Sequence, residues 1–245
     1  MRTTAPTAFR LLALTGGLLA ASAAQAYDFN ALATLQSQDE FKRVAQDLSA
    51  TLAFKPLAPA EGLGVLGFDL NASIGATTID SKDLLQRAAG GHDVPGTLPT
   101  FTLRAQKGLP LDIDVGLSYT ALVGTSGRAV SGDIKWAFLP GSTVMPAVAV
   151  RAFYTQMSGL GDLKLRSQGV DVSVSKGFAM VTPYAGVGVV ASQASTDSGT
   201  WAKESYTQGR VFAGVNANLA VVNLAGEVDQ TGKDSSVSVK LGWRF

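Results

Sequence analysis

From Gly64 to Phe245 the apolar residues of this chain recur with a period of two. The clearest run places Leu111, Ile113, Val115, Leu117 and Tyr119 on one side and Asp112, Asp114, Gly116, Ser118 and Thr120 on the other. A helix mixes these two sets, whereas a strand separates them. Phe68, Leu70, Ala72 and Ile74 repeat the pattern, as do Val130, Ile134, Trp136 and Phe138, then Val211 to Leu219, and finally Val237 to Phe245. The spacing predicts ten strands, at about 64–78, 98–106, 110–120, 128–139, 145–156, 162–176, 179–192, 206–221, 223–230 and 236–245. The ninth is short, and if its split from the eighth at Val222-Asn223 fails the count falls to eight. In the sixth, Leu163 and Leu165 have the opposite parity to Val170, Val172 and Val174, which predicts a β-bulge near Gln168-Gly169.

Alternation alone does not say whether the apolar side meets a core or a bilayer, and composition decides it. Only 16% of the 245 residues are charged, against about 25% in soluble domains. The polar sets are rich in Gly, Ser, Thr and Asn, which suits a confined interior. Aromatic residues gather at the ends of the apolar rows. Phe68, Trp136, Phe138, Phe178, Trp243 and Phe245 mark one edge, and Phe101, Tyr119, Tyr154 and Tyr206 the other. Two girdles are what membrane barrels carry. Most strands exceed the roughly 9 to 11 residues needed to cross hydrocarbon when tilted. An open sheet edge would leave unpaired amides in lipid, so the sheet must close. The fold class expected is all-β, a closed antiparallel transmembrane barrel. With ten strands its interior is little wider than in the eight-strand case, where side chains about fill it.

Loop lengths orient the barrel. With the first strand starting on the periplasmic side, the connections after strands two, four, six and eight are short. Those at 79–97 and 193–205 are long and polar, as external loops are.

The residues ahead of the barrel divide in two. Arg2 and Arg10, the apolar stretch Leu11 to Ala24, and Ala24-Gln25-Ala26 have the form of a signal peptide, predicting export and cleavage after Ala26. Residues 27–62 form an N-terminal periplasmic segment, and 63–245 the barrel. Ser37-Gln38-Asp39-Glu40 reads as a capping box, followed by Phe41, Val44, Ala45, Leu48 and Leu52 at helical spacing. Lys55-Pro56 and Pro59 stop this short helix, which packs against the domain or plugs an opening.

The last ten residues, Ser236 to Phe245, alternate and end on phenylalanine. In this the chain resembles bacterial outer-membrane β-barrel proteins of the small OmpA-like, OmpW-like and opacity-protein kind, over roughly 64–245. The resemblance implies residence in the Gram-negative outer membrane, outer-membrane lipid as surroundings, and Phe245 as part of a signal read by the barrel-assembly machinery.

Asp112, Asp114, Asp133, Lys135, Arg151, Arg210, Glu227 and Lys240 all take inward parity and form a candidate polar network in the lumen. Arg104, Lys164, Arg166 and Arg244 are expected to join them. Buried charges are costly unless paired, so internal ion pairs are expected, with a narrow conduit for small polar solutes as the functional alternative. Phe68, Tyr119, Trp136, Phe138, Tyr154 and Trp243 are the candidate membrane-interface aromatics.

Enzymatic chemistry has little to stand on. There is no cysteine, and the one histidine, His92, lies in the first long loop beside Asp93, with no nucleophile motif around it. No cofactor or metal motif is present, and 20 basic against 19 acidic residues give no pull toward nucleic acid. The leading expectation is a non-enzymatic outer-membrane protein with an envelope structural role or a narrow polar passage. The alternative is recognition through loops 79–97 and 193–205, with Trp201 as a contact anchor. A rim enzyme acting on lipid and a soluble lipocalin-like binder come after these.

Overall fold

The computed structural model describes residues 28–245; the leader reading, residues 1–26, lies outside the described residues. Ten antiparallel strands close on themselves: β1 Phe68–Thr78, β2 Thr97–Leu109, β3 Ile113–Leu122, β4 Arg128–Leu139, β5 Ala147–Leu160, β6 Leu163–Ser175, β7 Val181–Thr196, β8 Glu204–Leu219, β9 Val222–Thr231 and β10 Asp234–Arg244. The eighth and ninth strands are separate, so the count is ten and not eight. Each strand pairs with its sequence neighbours, and β10 returns to β1. Phe245 seals that seam. Its carbonyl accepts from the Phe68 amide at 2.6 Å, its amide donates back at 3.0 Å, and the two rings stack at 6.2 Å.

Two helices accompany the barrel, α1 Gln38–Leu52 and α2 Lys82–Ala88, the second within the β1–β2 loop. That loop, 79–96, and the β7–β8 loop, 197–203, are the long connections of one end; the β5–β6 and β9–β10 turns beside them are tight. The other end carries 110–112, 140–146, 176–180, 220–221 and Phe245. We call these the loop end and the turn end.

Along every strand the outward positions form an apolar band. On β10 it runs Val237, Val239, Leu241 and Trp243, and on β3 Ile113, Val115, Leu117 and Tyr119. About five outward residues per strand, at about 3.3 Å rise and tilted about 40°, give a band of about 23 Å, close to the membrane-barrel value. Trp136, Phe138, Phe178, Trp243 and Phe245 ring the turn end, all exposed, beside Phe68. Phe101, Tyr119 and Tyr154 stand outward toward the loop end. Tyr206 does not join them. It points inward, and its hydroxyl lies 2.9 Å from that of Ser49 on α1.

The sixth strand also departs from expectation. Its register against β5 and β7 runs unbroken through Gln168 and Gly169, so there is no bulge there. Leu163 and Leu165 face inward and are buried, while Lys164 and Arg166 face outward. The parity is constant along the strand, and what changes is the surroundings. Near the loop end the interior is apolar and the exterior polar, the reverse of the turn-end half.

Candidate functional site

The cause of that reversal is that α1 lies inside the barrel. The segment 27–62, assigned from the sequence to the periplasmic side with a helix that packs against the domain or plugs an opening, places that helix in the lumen. Ser37 caps α1 by accepting from the Glu40 amide at 3.3 Å, and the Glu40 carboxylate reaches back to the Gln36 amide at 2.7 Å. Arg87 on α2 donates to Glu40 at 2.6 Å and holds its carboxyl below the usual range. The stripe Phe41, Val44, Ala45, Leu48 and Leu52 is fully buried, as its spacing predicts. It packs with Phe29, Leu32 and Leu85 and with wall residues including Leu98, Leu122, Met157, Leu160, Leu163 and Leu165. The largest apolar core of the molecule is therefore the loop-end half of its own lumen.

On its other side α1 buries a carboxylate. Asp47 accepts from the Ser81 amide at 2.9 Å. Burial, reinforced by the nearby Asp234 carboxylate, pushes Asp47 up to about 7. Trp201, expected as an external contact anchor, is engaged inside. Its ring stacks on Phe41 at 6.0 Å and its indole N–H donates to the Leu32 carbonyl at 2.9 Å.

Beyond α1 the chain runs extended down the remaining lumen to β1. Pro56 and Pro59 preclude a helix here, so the carbonyls of this stretch need outside partners. The wall charges supply them. Arg210 donates to the Phe54 carbonyl at 2.6 Å and Arg104 to that of Pro56 at 2.6 Å. Lys135 donates to the carbonyls of Pro59 and Glu61 at 3.2 and 2.5 Å. Acidic groups take the amides: Glu227 accepts from Leu57 and Asp114 from Leu63, both at 2.9 Å. Phe54 is the central anchor. Its ring stacks on Phe153 at 5.2 Å, with the Arg104 guanidinium 4.4 Å and that of Arg151 5.5 Å from its centroid.

The same wall charges pair with one another. Lys240 meets Asp69 at 3.1 Å, Lys135 meets Asp114 at 2.8 Å, and Asp133 holds both Arg104 at 2.8 Å and Arg151 at 3.5 Å. Lys55 of the threaded segment meets Asp229 at 2.8 Å. Arg210 sits at charge-pair distance, 3.6 and 3.8 Å, between Asp171 and Glu227. Seven of the eight expected lumen residues thus converge. Asp112 does not. It belongs to the β2–β3 turn, with φ 55°, at the mouth beside Gly62. Lys164 and Arg166 are likewise absent from the interior.

Asp69 and Asp229 carry the inward parity that the sequence assigns them, Asp229 as a carboxylate two residues from Glu227 on the same face. Sequence reading missed Asp171 and above all Lys55 and Phe54; Asp171 shares the inward parity of the wall, whereas Lys55 and Phe54 lie in a stretch whose only signal was its prolines. Between this segment and the β1–β3 wall the remaining polar gap measures about 20 Å³, room for about one water. His92 sits exposed in the loop, and its neighbour Asp93 is held by Gln86 at 2.7 Å and Lys82 at 3.5 Å. Among the described residues no group of three or more His, Cys, Asp or Glu is arranged to hold a metal.

An apolar, girdled exterior around a charged interior is the build of an outer-membrane β-barrel. No protein-family model matches the chain, and no curated protein matches it in sequence. Solved barrels resemble it distantly. The N-terminal β-barrel domain of Pseudomonas aeruginosa OprF is 11% identical, covering 74% of this chain and 99% of that one, at a TM-score of 0.36. The translocator domain of the autotransporter NalP from Neisseria meningitidis is 12% identical over 84% and 95%, at 0.35. Acinetobacter baumannii Omp33 is 8% identical over 76% and 100%, also at 0.35. Likenesses this loose carry no argument beyond the barrel already described.

Proposed function

We propose that this is a non-enzymatic outer-membrane barrel, exported behind a leader cleaved after Ala26, whose own N-terminal segment closes its lumen and whose role is structural rather than conductive. The observation that carries this reading is the occupation of the lumen from end to end by residues 29–63, with their carbonyls and amides bound by paired wall charges. Seven inward strand acids, Asp69, Asp114, Asp133, Asp171, Glu227, Asp229 and Asp234, face five inward basic residues plus Lys55, so the wall and the seated segment come within about one charge of balance. A conduit for ions of one sign would instead leave charges of one kind unanswered. The lumen network of Asp114, Asp133, Lys135, Arg151, Arg210, Glu227 and Lys240 therefore serves as a clamp on the chain, and the turn-end girdle and Phe245 serve membrane seating and barrel assembly.

The test is single-channel recording in planar bilayers. The intact protein is expected to give no lasting conductance steps, and a variant with the clamp disrupted, Arg104→Met combined with Arg210→Met, is expected to give flickering ones. Stable channels from the intact protein would reverse the assignment. Replacement of 197–200 by glycines, which leaves both strands whole and Trp201 stacked on Phe41, separates the recognition reading, since it removes external binding without opening the lumen.

A further inference from the structure

The outward strand positions carry charge of one sign only. Lys107, Arg128, Lys164 and Arg166 are the ionisable residues there, and every strand acid among the described residues takes inward parity. Lys107 lies at the turn end, where it bonds the Val65 carbonyl at 2.6 Å. The other three lie together near the loop end of β4–β6, and the exposed Lys203 follows at the start of β8.

The strand registers show how they sit relative to the apolar band. Across β5, β6, β7 and β8, Val150, Val172, Val187 and Val211 form one outward row, and Ala152, Val170, Val189 and Gly209 the next. Then come Tyr154, Gln168, Ala191 and Thr207, and beyond them Gln156, Arg166, Gln193 and Ser205. The change from hydrocarbon to polar thus takes two rows, with Tyr154 at the boundary and Arg166 directly past it. In a bilayer that is the depth of the lipid headgroups. Open grooves of 530 and 580 Å³ run along this face, both lined by Tyr154, Arg166 and Gln193. Arg166 Nε donates to Gln193 at 2.9 Å, and Arg128 Nε to Ser158 at 3.3 Å, so these guanidinium groups are steadied by neutral partners and keep their charge unneutralised. Lys164 alone has an acidic partner, Asp197 on the rim. The other acids of this rim are held by neutral groups, Asp162 by Ser198, Asp28 by Ser126 and Glu204 by Gln38.

We propose that the outward face of β4–β8 beyond the apolar band is a docking surface for the phosphate groups of anionic lipid in the surrounding leaflet, with Arg166 at its centre and Arg128, Lys164 and Lys203 around it. The inference rests on the membrane placement proposed above. Charge complementarity and position select the occupant: planar guanidinium forks suit phosphate, and the grooves open at the height where a lipid presents one.

The test inserts the full barrel into vesicles of dioleoylphosphatidylcholine containing a minority of dioleoylphosphatidic acid, then identifies the lipids that remain on the extracted protein by native mass spectrometry. Failure to insert would overturn the membrane placement itself and is read separately, from the mobility difference between heated and unheated samples. For inserted protein, phosphatidic acid is expected to be enriched about tenfold over its share of the vesicle. The variant Arg128→Gln, Lys164→Gln, Arg166→Gln is expected to lose that enrichment while keeping the same heat-dependent mobility, and Lys107→Gln at the far end to retain it. Equal retention by the wild type and the triple variant would overturn the proposal, as would displacement of the lipid by inorganic phosphate, which would indicate a site for soluble anions.

Discussion

Phe54 shows how much of this molecule hangs on one side chain that no sequence pattern singles out. It is buried between Phe153 and two guanidinium groups at the midpoint of the threaded segment. Phe54→Ala is expected to cost about 3 to 5 kcal/mol, the range for emptying a packed aromatic site, seen as a lower temperature for the gel-mobility shift of the folded barrel. Asp133 is the second such residue, since it alone holds both Arg104 and Arg151. Asp133→Asn leaves two buried cations short of a partner and is expected to cost about 3 to 5 kcal/mol, measured by urea titration in detergent. Arg151→Met is expected to be milder, because Asp133 keeps Arg104. The charged wall was legible from parity, because inward and outward residues alternate along the strands where those charges lie; the register shifts only at the ends of β4 and β5, after Trp136 and after Met157. Its use was not, because nothing in the period-two pattern tells a charge that faces water from one that faces another segment's carbonyl.

At the scale of elements the instructive case is β6. Its apolar residues change sides halfway, and a bulge is the economical explanation for a sheet considered alone. Once α1 fills one half of the lumen, Leu163 and Leu165 have an apolar partner indoors, and the unbroken register becomes the better solution. The helix itself was legible in its cap and stripe; its location was legible only as two alternatives, packing against the domain or plugging an opening, since an amphipathic stripe reports a partner without naming it. Where the strands cross lipid the reading of the faces is testable. Val115→Arg places a charge within the apolar band at a cost of about 2 to 4 kcal/mol, expected as a reduced folded fraction on insertion into vesicles, with Val115→Leu unaffected.

The seat of α1 also depends on pH. Asp47 titrates near 7 when buried but at its ordinary carboxylate value when the chain is unfolded. A folded value raised above the unfolded one means a contribution fully present below about pH 4 and lost as pH rises through 7. Asp47→Asn is expected to flatten stability across that window and to stabilise the barrel above it, measured as unfolding midpoints from pH 4 to 8.

On the scale of the whole molecule, the barrel and the segment inside it form one folding problem. The wall charges are spaced to meet an extended chain, and that chain is kept from forming its own hydrogen bonds by Pro56 and Pro59. Neither half is satisfied alone. The walls without the segment would hold a water-filled, charge-lined ring, and the segment without the walls would have no reason to stay extended. The exterior was legible along the apolar band, because lipid imposes a uniform rule there; beyond it the rule lapses, and Lys164, Arg166 and Tyr206 take the faces opposite to those expected. The interior was legible only as far as the wall, because its true occupant comes from a part of the chain that obeys a different period.

The route of the chain has a mechanical consequence. Residue 28 lies among the loops, residue 68 begins the barrel at the opposite mouth, and the seam between β1 and β10 is shut. The polypeptide is therefore strung through a ring made from its own continuation, like a cord passed through the eyelet to which it is sewn. Withdrawal toward the turn end requires the free terminus to travel the full bore, so any folded body joined ahead of Asp28 acts as a stopper knot, displayed on the loop side and unable to follow.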